Sequence, residues 1–450
     1  MLENISQYPL LSLILIFVLI ALVMIKTQSK LWQMWFLAVV LIYPVAFIAG
    51  HLVAQIVFVI MLLMGIFLIQ GVRLSVFTKP IFNAMRKTLP PIGVTEKIAI
   101  EAGDVWWDAE LFQGNPNWQE LSDLEATQLT EEEQLFVNNE VETLCSMIDS
   151  YELLSEQDLP EEAWRYIFDK GFLGIIIPKE YNGLGFSHFA HATIVGRLSS
   201  ASQLLGISVM VPNSLGPGEL LLRYGTDEQK QHYLPRLAQG KEIPCFGLTS
   251  TVAGSDAGSL VDNGIVCYGE YEGEQVLGLR LNWEKRYITL APIATVVGLA
   301  FKAYDPDNLL PEDHPLHGKN DLGITCALIP RKTQGVKIGN RHLPVGEPFQ
   351  NGPIIGEDVF IPMDWVIGGD KMLGHGWRML MECLSVGRGI SLPVTGASAT
   401  QAMLLTTSVY TQTREQFGIP IAYMEGIQEK LATLATNAYR ATANINLSTW

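Results

Sequence analysis

Two short stretches combine hydroxyl side chains with neighbouring backbone donors and could hold a polar cofactor. Residues 245–258 read CFGLTSTVAGSDAG, and residues 285–289 read KRYIT. Glycine lets a backbone approach a bound group closely, and hydroxyl and backbone N–H groups can bond to its oxygens. Taken alone, the first stretch is also typical of a glycine-rich turn and the second of an exposed strand. The residue types therefore indicate a binding site without identifying its ligand.

Other residue groups that could carry chemistry lack the spacing that they would need. His188 and His191 are three residues apart, but no carboxylate follows at helical spacing, which favours a packing or surface pair over a metal site. No serine lies in a nucleophile elbow, and no glycine-rich loop follows a strand in a βαβ unit. The five cysteines have no C-x-x-C spacing, so they suggest neither zinc nor a disulfide framework and fit a reducing cytosol. We predict no metal site.

The predicted elements that position these stretches run in the order helices, strands, helices. Thr130 and Glu133 form a predicted capping box, and helical periodicity extends from there to about residue 240. From Ile243, short β-type stretches separated by Gly, Asn, Asp and Pro predict an antiparallel barrel or sandwich. Helical periodicity returns after Gly376. The predicted fold class is α+β.

The N-terminal part is far more apolar than the rest of the chain. Its nearly uncharged runs at residues 10–25, 31–49 and 52–70 approach the length of membrane-spanning helices. Lys26 and Lys30 lie between the first two runs, and all charged residues between the third run and Glu96 are basic. The positive-inside rule therefore places the following domain in the cytoplasm. We expect two or three transmembrane helices, with a re-entrant hairpin of runs two and three as the alternative. This predicts a membrane location, with the following domain on the cytoplasmic face and membrane lipid as a partner.

Charge narrows the class of protein further. The chain has 450 residues and a formal net charge of −16, and its soluble part has no basic block, which disfavours nucleic-acid binding. The predicted domain bounds are 1–72 for a membrane anchor, 73–129 for a juxtamembrane linker, 130–242 for a helical domain, 243–367 for a β-barrel domain and 368–450 for the start of a helical bundle.

The order of elements and several motifs resemble the acyl-CoA dehydrogenase family over roughly residues 130–450. GFLGIIIPKEYNGLG at residues 171–185 looks like a loop of that family, and the two stretches above resemble its flavin-binding segments. The resemblance implies FAD as cofactor and an α+β fold with a helical domain, a middle antiparallel β-barrel and a C-terminal helical bundle. The residues that it assigns to the flavin are Leu248, Thr249, Ser255, Tyr287 and Thr289. Ser255 would also contact the phosphate region of the acyl-CoA substrate.

Later motifs follow the family in the same order. DVFIP at residues 358–362, GHGW at 374–377 and LSVGR at 384–388 match family elements, and Arg388 is assigned to the substrate. Arg414 and Phe417 lie in a further match, YTQTREQFG at 410–418. In the family this Arg reaches the FAD pyrophosphate of a neighbouring subunit, a task that suits a guanidinium fork. The resemblance therefore implies a homodimer or larger homo-oligomer.

The activity implied is α,β-dehydrogenation of a fatty acyl-CoA, medium- or long-chain, as the first step of fatty acid β-oxidation. A carboxylate must remove the α-proton. Some family members carry it directly before the Arg of L-x-x-G-R, where this chain has Gly387; in most it lies later, so we expect the base beyond Trp450. Glu382 is not assigned this role.

The expected electron acceptor is an electron-transfer flavoprotein or the membrane quinone pathway. The segment from Trp106 to Trp118 and the N-terminal runs are similar to the membrane-associated fatty-acyl-CoA dehydrogenases of bacterial β-oxidation. An acyl-CoA oxidase and a catalytically inactive, membrane-tethered flavin-fold scaffold are the alternatives.

Overall fold

The computed structural model describes residues 39, 40, 42, 51–103, 105–114, 116–214 and 216–449. Contacts divide the chain into two compact units, Met1–Gly93 and Val94–Trp450. The predicted apolar run at residues 10–25 and the basic residues Lys26 and Lys30 lie outside the described residues, as does nearly all of the run at 31–49. The five predicted domain bounds stay a prediction.

In the first unit, the third apolar run forms helix α1, His51–Leu68, which ends at a bend at Ile69. At about 1.5 Å per residue this helix is about 27 Å long, slightly shorter than a hydrocarbon core of about 30 Å. Within the described ranges, no helix is both long enough and apolar enough to cross a membrane. The prediction of transmembrane helices preceding the α+β part is therefore wrong. Three helical segments follow: α2 Gln70–Val72, a π-helical segment Arg73–Thr78 and α3 Lys79–Arg86.

The second unit begins with helices. Thr130 and Glu133 form the predicted capping box, and Thr226 with Gln229 forms another. Each box satisfies backbone N–H groups at a helix start that would otherwise lack partners. The helices are α4 Val94–Glu101, α5 Asp108–Gln113, α6 Trp118–Ser122, α7 Glu131–Phe136, α8 Glu142–Ser146, α9 Ser150–Glu156, α10 Glu161–Asp169, α11 His188–Ala201, α12 Gln203–Ser214, α13 Pro217–Tyr224 and α14 Asp227–Ala238, with a π-helical turn Val137–Val141 between α7 and α8.

A seven-stranded sheet follows, with strand order β1-β4-β2-β3-β7-β6 and β5 paired to β4. Its strands are β1 Pro244–Gly247, β2 Asn263–Tyr271, β3 Glu274–Thr289, β4 Val296–Tyr304, β5 Asp321–Pro330, β6 Val336–Ile338 and β7 Asn351–Pro362. Strand β4 pairs parallel with β1 and with β2, whereas the other pairs are antiparallel. The prediction of an antiparallel β domain is thus wrong in part, because the β2–β3 hairpin returns the chain so that β4 runs in the same direction as β1.

Helices then return and complete the described chain. They are α15 Gly376–Val386, a π-helical turn Gly387–Ser391, α16 Leu392–Thr413 and α17 Glu425–Ser448, with the small hairpin β8 Glu415–Gln416 and β9 Ile419–Pro420 between the last two helices. One buried cluster joins the sheet to α11, α12, α16 and α17, and a second joins α13, α14 and α15 to β4 and β5. The ends of β1 and β3 are therefore held on a rigid frame.

Candidate functional site

The first candidate stretch leaves the sheet at the end of β1. Leu248 and Thr249 follow the last residue of the strand and are half-buried, and a tight turn comes next, in which Ser250 N–H donates to the Ala253 carbonyl at 3.0 Å. Ser255 lies beyond this turn and is exposed. The stretch thus offers a fixed segment of backbone followed by an open loop.

The second stretch is the last part of β3, where the register with β7 shifts between Lys285 and Ile288. Within this irregularity Tyr287 has a φ of +56°, which is uncommon for an aromatic residue, and its side chain is 55% exposed. Bulges of this kind redirect side chains at functional sites. The centre of the Tyr287 ring lies 4.9 Å from the centre of the His342 ring and 5.3 Å from the Arg286 guanidinium.

The fold brings the two stretches side by side. Arg286 N–H donates to the Thr249 carbonyl at 3.1 Å, and Ser250 pairs with Lys285 in an isolated antiparallel bridge. Leu248 and Thr249 therefore lie next to the strand end that carries Tyr287, although the two stretches are far apart in sequence.

Thr289 ends β3 and is anchored from β7. The Asn351 amide nitrogen donates to the Thr289 hydroxyl across 3.5 Å, and Leu290 N–H donates to the Gln350 carbonyl at 2.7 Å. Asn351 is 2% exposed, and its side-chain oxygen has no partner among the described residues. A buried polar atom without a partner is costly, so this position favours a bound polar group nearby.

Beneath the two stretches lies an ion pair that the sequence analysis did not identify. The Lys285 ammonium donates to Asp262 at 2.6 Å and to the Leu248 carbonyl at 2.9 Å, and both side chains are nearly inaccessible to solvent. Burial lowers the pKa of Lys285, while the charge of Asp262 opposes that change. The signal available in the sequence was a lysine in phase with the apolar residues Leu281 and Trp283, a position that the alternation of the strand assigns to the interior.

The remaining predicted residues lie on other elements. Arg388 is exposed in the π-helical turn after α15. Arg414 ends α16, and Phe417 lies at the tip of the β8–β9 hairpin with a φ of +56° and 95% exposure. Arg414 and Phe417 therefore lie away from the ends of β1 and β3, and neither belongs to the pair of stretches described above.

Glu382 on α15, the carboxylate nearest in sequence to Gly387, is fully engaged. Its carboxylate accepts a short hydrogen bond from the Tyr224 hydroxyl, and it pairs with Arg378 at 2.8 Å and Arg223 at 2.6 Å. The Tyr224 hydrogen bond and the two guanidinium groups hold the pKa of Glu382 below its usual range. A general base needs a raised pKa and free access to a proton, so Glu382 is not suited to this role.

The residues present fit a flavin. The open space beside Gly254, where an added side chain would meet no atom within 4 Å, leaves room for a bulky group against the loop. The hydroxyls of Thr249 and Thr289, the unpaired Asn351 oxygen and the exposed Tyr287 ring supply polar contacts and an aromatic face. A heteroaromatic ring whose edge carries both carbonyl oxygens and an N–H group can accept from such hydroxyls and donate to such an amide oxygen.

Comparison with known proteins agrees with this geometry. Residues 123–241 match the family model of the acyl-CoA dehydrogenase N-terminal domain, and residues 374–446 match that of the C-terminal domain. A 3-(aryl)acrylate reductase of Clostridium sporogenes is 33% identical over 303 residues, which cover 67% of this chain and 72% of that protein. Protein HemX of Proteus mirabilis is 52% identical over 108 residues, 24% of this chain and 60% of that protein.

A solved structure shares the fold. The acyl-CoA dehydrogenase of Bacillus anthracis in complex with FAD superposes with a TM-score of 0.59 at 23% identity, covering 71% of this chain and 51% of that one. The chain therefore belongs to the acyl-CoA dehydrogenase family, whose members are FAD-containing oxidoreductases that act on CH–CH groups. The resemblance noted from the motifs is confirmed at this level.

Proposed function

We propose that this protein binds FAD at the ends of β1 and β3 and exchanges two hydrogens with the Cα–Cβ bond of a fatty acyl-CoA. The observation that carries the proposal is the direct backbone contact between the two hydroxyl-bearing stretches, Arg286 N–H to the Thr249 carbonyl. Supporting it are the family matches on both sides of the sheet. The narrower assignment, to membrane-associated dehydrogenases of bacterial β-oxidation with a medium- or long-chain substrate, is part of the proposal.

The residues of this chain would hold and orient the reacting groups. Leu248 and Thr249 would contact the polar edge of the flavin ring, Tyr287 would cover one face, and Thr289 would place its hydroxyl at the reactive centre. Ser255 and Arg388 would contact the phosphate-bearing part of the substrate, for which exposed hydroxyl and guanidinium groups are suited. When bound, FAD supplies the hydride acceptor. An electron-transfer flavoprotein is the proposed acceptor of the electrons.

A second candidate is the reverse reaction, reduction of a conjugated double bond. The relative from Clostridium sporogenes that is 33% identical to this chain is named as a 3-(aryl)acrylate reductase. Chemistry at a CH–CH group is reversible in principle, and Gly387 leaves no carboxylate at one position where family members carry the base. Substrate class therefore separates the two candidates.

Anaerobic titration of the full-length, FAD-loaded protein decides between them. Bleaching of the flavin visible band by a saturated C8 to C16 acyl-CoA supports the dehydrogenase. If only the chemically reduced flavin reacts, and it is reoxidised by an arylacrylate or its thioester, the reductase is favoured. The proposal is rejected if FAD binds but neither substrate class changes its spectrum. An oxidase would reoxidise rapidly in air, whereas a dehydrogenase would need an added carrier.

We also propose that the protein associates with the inner face of a bacterial membrane through α3, as a peripheral contact. Ile81, Phe82 and Met85 are each more than half exposed, and Lys79 and Arg86 lie at the two ends of the same short helix. Residues 73–95 contain no acidic residue, whereas the whole chain carries a charge of −16. A basic amphipathic helix of this kind favours an anionic lipid surface.

Vesicle co-sedimentation tests this contact. We expect the protein to bind vesicles containing anionic lipid, and Lys79→Glu with Arg86→Glu to reduce binding by about 30-fold or more, since each of the two cations contributes roughly 1 kcal/mol near such a surface. Lys371→Glu with Lys430→Glu makes the same change in charge elsewhere and should leave binding unaffected. Equal binding to neutral vesicles would refute the electrostatic part of the proposal.

A further inference from the structure

The Lys285–Asp262 pair is buried directly beneath the two stretches that form the proposed flavin site. Lys285 has an exposed fraction of 0%, and its side chain runs beneath β1, where an added Cβ on Gly247 would meet its Cγ at 3.1 Å. A buried ammonium requires close partners, because removing it from water is costly. Its partners here are Asp262 and the Leu248 carbonyl.

Asp262 connects the pair to the rest of the sheet. Its second carboxylate oxygen accepts Glu284 N–H at 2.9 Å, and its backbone carbonyl accepts Lys302 N–H at 2.9 Å. The carboxylate is therefore fixed by β3 and β4 before it pairs with Lys285. This fixes the ammonium in turn, and with it the carbonyl of Leu248.

The orientation of one peptide follows from this bond. In a trans peptide the carbonyl of one residue and the N–H of the next point in opposite directions. Because the Leu248 carbonyl points inward to Lys285, the Thr249 N–H points outward, away from the ammonium. Arg286 N–H holds the other side of the residue by donating to the Thr249 carbonyl.

We infer that Lys285 is a positioning residue for the cofactor: its ammonium, held by Asp262, turns the Leu248–Thr249 peptide so that the Thr249 N–H faces the polar edge of the flavin. This inference rests on the proposed FAD site. It assigns to Lys285 a role in binding geometry that is separate from its share in the stability of the sheet.

The test compares two double variants of nearly equal size and charge. Lys285→Met with Asp262→Asn removes the donor to Leu248, whereas Lys285→Gln with Asp262→Asn keeps a side-chain donor at that position. Replacing both partners avoids leaving one buried charge alone. We expect the Met variant to raise the FAD dissociation constant about 10-fold and to shift the flavin visible band, and the Gln variant to recover most of both changes.

Asp262→Asn alone is a third variant for the FAD-binding test, and its result does not depend on whether the Met variant folds. It keeps the Lys285 amine but removes the carboxylate that holds this amine against Leu248, so we expect the FAD dissociation constant to rise about threefold, less than in the Met variant, together with lower stability. A matched control is Lys337→Met with Glu357→Gln, which removes an ion pair of the same 2.6 Å length from an exposed part of the sheet and should not alter FAD affinity.

The outcomes are distinguishable from failure of the proposed function. If the unsubstituted protein binds FAD and the Met and Gln variants bind it equally well, or if Asp262→Asn alone leaves FAD affinity unchanged, the inference is overturned and the FAD site stands. If the unsubstituted protein takes up no FAD, the proposed function fails. The role toward FAD then fails with it, and hydrogen exchange at the Thr249 amide tests the remaining structural part: faster exchange in the Met than in the Gln variant supports the orientation of the Leu248–Thr249 peptide by Lys285, and equal exchange rejects it.

Discussion

At the scale of residues, the candidate site depends on partners that lie far apart in sequence. Tyr287 and Thr289 were predicted from the motif in which they lie. Lys285 could not be assigned its partner, because Asp262 is 23 residues away and the contact exists only once β2 and β3 pair. Glu382 likewise contacts Tyr224 across 158 positions. The contacts that make Glu382 unsuited as a base could therefore not be seen in the sequence.

Thr289→Val tests the flavin contact of the strand end. The change keeps the volume of the side chain but removes the hydroxyl that accepts from Asn351, leaving that amide without its partner. We expect about 1 kcal/mol of lost stability and a several-fold weaker affinity for FAD, measured by fluorescence titration. Thr143→Val, at an exposed threonine of α8, is the control and should leave FAD affinity unchanged. Equal affinity in both variants would remove Thr289 from the site.

Glu382→Gln tests whether this residue supports structure or chemistry. Its carboxylate joins Tyr224 and Arg223 of α13 to Arg378 of α15, so the neutral amide should lower the free energy of unfolding by about 1–3 kcal/mol. The rate of flavin reduction by acyl-CoA should fall less than about threefold, against about 100-fold or more for loss of a general base. A loss of rate at the larger scale, with stability unchanged, would make Glu382 the base after all.

At the scale of elements, the sequence predicted most helices and strands but not how they pair. The capping boxes identified helix starts because their residues contact neighbours three positions away. The full length of strand β3 could not be predicted, since the register shifts at Leu281/Trp283 and Lys285/Ile288 disturb the alternation of its side chains. The parallel pairing of β1 with β4 involves residues about fifty positions apart, and no local pattern encodes it.

Helix α11 carries a pH-dependent contribution to stability. Burial lowers the pKa of His191 to about 4, with the charge of His188 acting in the same direction. In this range the unfolded chain binds a proton that the folded chain excludes, so stability is present at neutral pH and is lost as the pH falls from about 6.5 towards 4.

His191→Gln should reduce this dependence. We expect the unsubstituted protein to lose about 2 kcal/mol more than the variant between about pH 7.5 and pH 5 in urea unfolding. Replacing exposed His188 by Gln is the control and should change the slope far less. The same pH dependence in both proteins would show that His191 is not held neutral.

At the scale of the whole molecule, family membership could be predicted and the membrane topology could not. The motifs from Gly171 to Gly418 occur in family order, and order survives when individual residues change. The third apolar run, by contrast, forms an 18-residue helix that ends before the bend at Ile69. Hydropathy does not indicate where a helix ends, so this length could not be predicted from the sequence. Phe417, 95% exposed on the tip of the hairpin that directly follows Arg414, fits the predicted contact with a second copy of the chain.

Mixing two defective proteins tests this contact across subunits. Arg414→Gln and Thr289→Val should each weaken FAD binding when alone. If Arg414 completes the site of its neighbour, a refolded equal mixture should regain full affinity at about one quarter of the sites, because half of the dimers are mixed and each has one intact site. Absence of any recovered high-affinity sites in a mixture shown to exchange subunits would place Arg414 in its own chain's site or outside the site.

The central claim is that the adjoining ends of β1 and β3 form an FAD site, and cofactor retention measures it most directly. The full-length protein, incubated with FAD and separated from free cofactor by gel filtration, should retain about one flavin per chain, with hydrogen exchange slowed at residues 248–255 and 286–289 relative to the protein without FAD. Retention of no flavin, or retention with protection confined to other segments, would contradict the account.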